Sequence, residues 1–160
     1  MARRYHVVLG LGLAAALAAC AAPPPPPPTT VALTLTATPD ANATPDGKGA
    51  PVALRVYQLA ATTGFTGAEF FDLFNQDQAT LKTDLVRRDD ITLAPGQSRT
   101  LTLQPSDQVK AIGLFAAYRD YAHATWRASA DVPAHRTTTI TVLVGRTGIA
   151  VNPPAGQPGS

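Results

Sequence analysis

The stretch VALTLTAT, residues 31–38, puts Val31, Leu33 and Leu35 at every second position, with Thr34, Thr36 and Thr38 between them. A period of two fits an extended strand with one buried and one wet face; on a helix the same leucines would scatter around the axis. The period returns in VALRVYQL (52–59), where Leu54 and Val56 alternate with Arg55 and Tyr57, and again in TTTITVLV (137–144). The first of these runs reads as an edge strand. ITL (91–93) and RTLTL (99–103) flank APGQS, a Pro-Gly turn of type II character. VKAIGLFAAY (109–118) is apolar on both faces and belongs in the middle of a sheet, with Gly113 allowing close approach, and GIAV (148–151) closes the series. YRD (118–120) and TWRA (125–128) read as a turn joining two strands, with Arg119 pairing to Asp120 and Trp126 covering a sheet face; the rival reading is a ligand pocket. Short strands punctuated by turns specify an all-β chain, an antiparallel β-sandwich.

One segment breaks the pattern. TGAEFFDLF (66–74) has Thr66 and Glu69 at capping-box spacing, which satisfies two amides at a helix start, and it places Phe70 and Phe74 on one helical face. NQDQATLKTDL continues it as a second short helix carrying Leu81. So many large apolar side chains favour a helix that plugs the open end of the sandwich; the other reading is a docking surface built on the insertion.

The first thirty residues are of another kind. Arg3 and Arg4 precede an uncharged apolar run, and small residues lead into the only cysteine, Cys20, which is followed by six prolines from Pro23 to Pro28. A lone thiol makes no intramolecular disulfide and no structural metal cage. The order basic, apolar, small is that of an export signal. A transmembrane helix is the rival, but Val7–Ala22 extends only about 24 Å against a hydrocarbon core of about 30 Å. Leu17-Ala18-Ala19-Cys20 resembles the lipobox of bacterial lipoproteins, in which the thiol takes diacylglycerol, the signal is cut before the cysteine and the new amine is acylated. The alternative is an ordinary secretory cleavage site with an incidental cysteine. Three acyl chains suffice for stable anchoring. Ala21, where inner-membrane retention would need Asp, implies the outer membrane by the same resemblance. Six prolines in polyproline II reach about 19 Å and form a stalk. The expected organisation is a signal peptide (1–19), lipidated Cys20 with a Pro-rich tether (20–30), a sandwich domain (31–151) with a helical insertion near 66–82, and a flexible Pro/Gly-rich tail (152–160).

The formal charge of +2 disappears with the signal: 13 Lys+Arg less Arg3 and Arg4 leaves 11, against 11 Asp+Glu. A neutral mature chain of about 140 residues is one domain without the basic excess of a nucleic-acid binder. Catalytic groups are missing as a set. His123 and His135 have no zinc spacing, Ser98, Ser106 and Ser129 lack a nucleophile-elbow context, and no Gly-rich phosphate loop exists, so neither cofactor nor metal is expected. In PDANATPDGKGAP (39–51), Asp40, Asn42, Thr44 and Asp46 alternate as in a calcium loop, but Pro45 and Pro51 stand where that loop needs Gly and Glu. Asn42-Ala43-Thr44 is formally a glycosylation sequon, of little weight in a bacterium. What remains is a polar connection longer than a hairpin needs, either functional or disordered.

LRVYQL (54–59), GAEFFDLF (67–74), ITLAPGQSRTLTL (91–103), IGLFAAYRD (112–120) and WRA (126–128), in this order behind a lipobox, resemble the outer-membrane lipoprotein of the type VI secretion system, the TssJ (SciN/VasD) family. The resemblance implies a transthyretin-like β-sandwich with a small helical insertion and no enzymatic activity. It implies anchoring in the outer membrane and binding to the periplasmic C-terminal region of the inner-membrane protein TssM, within a TssJ-TssL-TssM assembly. In that family the loop between the first two strands is important for the contact, which here points to Asp40, Asn42, Asp46 and Lys48. The rival is a lipid-anchored envelope module that binds a sugar or peptide, although one Trp and four Tyr, Tyr5 among them in the signal, are few for an aromatic groove.

Overall fold

The computed structural model describes residues 23–152; the signal peptide, Cys20 and the tail beyond Asn152 lie outside the described residues. Eight strands form two sheets: β1 (Thr30–Ala37), β2 (Val52–Leu59), β3 (Leu85–Leu93), β4 (Ser98–Leu103), β5 (Ala111–Ala117), β6 (Arg127–Asp131), β7 (Thr137–Val144) and β8 (Ile149–Asn152). Two helices, α1 (Thr63–Gly67) and α2 (Phe70–Leu81), lie between β2 and β3. The sheet orders are β4-β1-β7-β8 and β3-β2-β5-β6. Between the sheets, Val31, Leu33 and Leu35 of β1 and Ile140, Val142 and Val144 of β7 from one sheet pack with Val52, Leu54 and Val56 of β2 and Ile112 and Leu114 of β5 from the other. The period-two runs therefore face inward at the positions their alternation marks.

Several sequence expectations need correction. β1 is no edge strand: it lies between β4 and β7 and runs parallel to β7, the one pair of named strands to depart from the antiparallel pattern. Alternation reports which face is wet and says nothing about lateral neighbours. Gly96 has the positive φ a type II turn requires, but the turn carries the chain from β3 in one sheet to β4 in the other. Arg127 and Ala128, read as part of a turn, open strand β6 (Arg127–Asp131).

The helical insertion lies across the outer face of the second sheet and does not plug the end of the sandwich. Phe65, Phe70, Leu73 and Leu81 of the helices pack on Tyr57 and Leu59 of β2 and Phe115 of β5, a second core behind the first. Tyr57, assigned to the polar face by alternation, is therefore fully buried. The capping box sits three residues later than the sequence suggests: Glu69 caps the helix and Asp72 accepts from the Glu69 amide. Gln76 leaves helical geometry, so α2 is two short helices meeting at a kink. Gly113 faces this second core. A Cβ there would lie 2.8 Å from Leu59 Cδ1 and 3.2 Å from the Phe65 ring, so Gly113→Val is expected to destabilise the domain by about 1–3 kcal/mol, measurable by urea unfolding.

The insertion is fastened by charge as well as by packing. Asp77, 5% exposed, accepts from Arg88 Nη1 at 2.8 and 3.1 Å, from the Tyr57 hydroxyl at 2.9 Å and from the Gln78 amide at 2.8 Å, with Arg55 Nη1 at 3.4 Å. Arg55 and Arg88 each also pair with Asp90. The N-terminal stalk is fastened too. The His135 amide donates to Thr29 Oγ1 at 2.9 Å, His135 Nδ1 lies 3.2 Å from the Pro27 carbonyl, and the Thr30 amide donates to the Arg136 carbonyl. The chain therefore enters β1 clamped against the β6–β7 connection.

Candidate functional site

The ends of the sandwich differ. At one end lie the stalk and the β6–β7 connection; at the other, beside the β3–β4 turn, three further connections meet: residues 38–51 (β1–β2), 118–126 (β5–β6) and 145–148 (β7–β8). The eight residues of β1 separate the two ends by about 25 Å.

The long first connection is built from its own polar side chains. Thr38 Oγ1 donates to Asp40 at 2.7 Å, and the Ala41 amide closes a turn onto the Thr38 carbonyl. Thr44 anchors the distal lobe: its hydroxyl sits between Asp46 Oδ1 (2.5 Å) and the Lys48 carbonyl (2.9 Å), and its amide donates to that carbonyl. Gly47 takes the positive φ that the tight lobe needs. The Ala50 amide donates to the Ala41 carbonyl at 2.9 Å and closes the base of the loop.

Asn42 joins this loop to its neighbours. It adopts the left-handed conformation, is buried, and donates from Nδ2 to the Pro51 carbonyl at 2.8 Å while Oδ1 accepts from the Arg119 amide at 2.9 Å. Tyr118 donates to the Gly145 carbonyl at 3.1 Å and joins the third connection to the second. Burial pushes the Tyr118 phenol above its ordinary pKa, so it remains a neutral donor at physiological pH. Between the three connections lies an open cavity of about 540 Å³, lined by Asn42, Thr44, Tyr118, Arg119, Asp120 and Arg146 among others.

The loop residues singled out in the sequence occupy different places. Asp46 and Lys48 are exposed at the tip and paired at 3.3 Å, and the Thr44 hydroxyl and then the Lys48 ammonium hold the Asp46 carboxyl below the usual carboxylate range. Asp40 is half-buried, 3.9 Å from Arg146. Asn42 faces inward and holds the loop in shape. Arg119 does not pair with Asp120; His123 does, at 2.8 Å. Arg146 carried no signal in the sequence, since its place beside Asp40 depends on which strand ends meet. Among the described residues no group of three or more His, Cys, Asp or Glu could hold a metal ion, and no helix is long and apolar enough to cross a membrane.

The family model described as "Type VI secretion lipoprotein, VasD, EvfM, TssJ" matches residues 29–147. Among solved structures, the chain is similar to the T6SS lipoprotein TssJ1 from Pseudomonas aeruginosa, with 37% identity over 84% of this chain and 100% of that one, and a TM-score of 0.77. It is also similar to chains in a type VI membrane complex (TM-score 0.69) and in a structure of the T6SS protein TssM C-terminal domain from EAEC (TM-score 0.62), each with 25% identity over 78% of this chain and 98% of the other. No curated protein matches the chain.

Proposed function

The chain belongs to the type VI secretion lipoprotein family, and on that premise we propose that it is an outer-membrane tether that holds the periplasmic C-terminal region of TssM. Acyl chains on Cys20 fix it to the membrane, the prolines space it from the surface, and the sandwich presents its loops to the partner. The observation that carries this reading is the polarity of the domain. The stalk is clamped to one end, and the elaborated 38–51 connection lies at the other, about 25 Å further into the periplasm. Contact falls to the exposed Asp46 and Lys48 and to Asp40, with Asn42 shaping the loop behind them.

A non-enzymatic role is supported by what the polar side chains do. Ser98 bonds Thr36 Oγ1 and the Leu35 carbonyl, His123 pairs with Asp120, and His135 holds the stalk. No serine is in reach of a histidine among these bonds. The loop-end cavity favours a second reading, a sugar or peptide module, since about 540 Å³ suits a small ligand. Its one aromatic ring, Tyr118, is buried, which leaves little ring face for a sugar to stack on, so the tether stands first.

The test is the affinity of the mature lipoprotein in detergent micelles for the periplasmic region of its cognate TssM. Residues 43–49 are replaced by a short turn in a second version, which keeps Asn42 and the Ala41–Ala50 closure. Native binding weakened at least tenfold by the trimmed loop is the expected result. A folded native protein that does not bind would overturn the tether.

A further inference from the structure

Helix α2 leaves part of its cover sheet bare. Phe71 (49% exposed), Phe74 (42%) and Tyr121 (38%) are three of the five exposed large hydrophobic residues among those described, and they form one cluster. Tyr121 stacks on Phe70 at 4.5 Å between centroids and meets Phe71 edge-on at 5.0 Å; Phe74 lies 5.7 Å from Phe70 and 6.5 Å from Phe71. Beside Phe74 opens a notch of about 170 Å³, with Ala53 and Ala117 in its lining and the Arg55–Asp90 ion pair at its rim. Ala53 and Ala117 are directly paired across β2 and β5, so two methyl groups leave the sheet shallow there. The volume is below that of small-molecule sites and suits one or two apolar side chains.

We propose that this surface docks an apolar segment of the periplasmic region of TssM, one side chain entering the notch and others covering Phe71 and Tyr121. Position selects the occupant. Ala53 and Ala117 stand at the loop end of their strands, about 20 Å from Leu59 and Ala111 at the stalk end, so a membrane held by the stalk is on the wrong side. The surface is also continuous with the contact proposed above: the β5–β6 connection that supplies Tyr121 supplies Tyr118, Arg119 and Asp120 to the loop-end cavity. Exposed aromatic rings beside a pocket are the usual anchors of protein association. The inference rests on the tether reading and extends its contact from one loop to a two-part surface.

The experiment measures affinity of the mature lipoprotein in detergent micelles for the TssM periplasmic region, comparing the native chain with Phe71→Ser and Ala53→Arg. Both positions are exposed, so both variants keep the native fold, checked by circular dichroism and melting temperature. Each is expected to weaken binding about tenfold or more, the first by removing a ring, the second by filling the notch. Native binding with both variants unchanged overturns this surface and leaves the tether standing. No binding by the native chain overturns both. A self-association of the native chain that Phe71→Ser abolishes, without any loss of TssM affinity, assigns the surface to a second copy and overturns the proposal.

Discussion

Replacing Asp77 with alanine is expected to cost the domain about 3 kcal/mol and to loosen α2 from the second sheet. The carboxylate is the one acceptor that reaches β2 through Tyr57 and Arg55, β3 through Arg88, and the helix through the Gln78 amide. Without it the buried Tyr57 hydroxyl loses its partner, Arg88 keeps only the largely exposed Asp90, and Arg55 keeps Asp90 and the Leu73 and Phe74 carbonyls. Their own partial exposure limits the loss to the lower part of the range for a broken buried pair. Urea unfolding at pH 7 measures the loss, and a double-mutant cycle with Arg88→Ala separates that partner's share. The sign of the pH dependence follows from the Asp77 carboxyl. Burial raises its pKa, but hydrogen bonds from Arg88 and Tyr57 outweigh burial and hold it below the ordinary value. A carboxyl depressed by folding contributes fully above its unfolded value of about 4 and loses the contribution as pH falls through its lower folded value. Native protein should therefore be insensitive to Asp77 between pH 5 and 8 and weaken below about pH 4, a slope that Asp77→Asn removes.

That network also marks where the sequence stopped being legible. Residues Leu54 and Val56 face the first core because their period is local, and a strand carries that information within eight residues. Tyr57 obeys the same parity and points away from the first core; it is buried because α2 lies over it, a fact about two segments. The signal was present as two halves: an aromatic ring on the polar side of one strand and a helix with too many phenylalanines to leave uncovered. Joining them required the sheet order. The same holds for the parallel β1–β7 pair and for Arg146, whose place beside Asp40 follows from strand ends that meet only after folding. Strand β6 escaped for a different reason: Arg127–Asp131 has only Ala128 and Ala130 facing inward, too little apolar character to stand out. Asn42 shows the limit at a single residue. A polar side chain in a polar loop reads as surface, yet its amide ties Pro51 to Arg119 and makes the loop a fixed shape.

Cys20→Ala should leave the sandwich folded and release it from the outer membrane. Cys20 precedes β1 by ten residues in the sequence, and the two cores described are built from residues 31–151, so melting temperature and circular dichroism are expected to stay native. The membrane affinity is supplied by acyl chains at about 0.8 kcal/mol for each buried CH₂, and a serine or alanine at that position accepts none. Fractionation should find the variant in the soluble periplasm or still carrying its uncut signal, and persistence in outer-membrane fractions would sink the lipid-anchor reading. The clamp of Thr29 and Pro27 on His135 adds a second expectation. Because the stalk's last residues are fixed to the domain, only the prolines before Pro27 act as spacer, about 12 Å at 3.1 Å per residue. Deleting two of them should bring the domain about 6 Å nearer the membrane without altering its stability or its loop. Lengthening the stalk with glycine and serine would keep the anchor and lose the fixed direction. If position relative to the membrane is what the stalk supplies, secretion should fall in the glycine-serine version while fractionation remains that of the native protein.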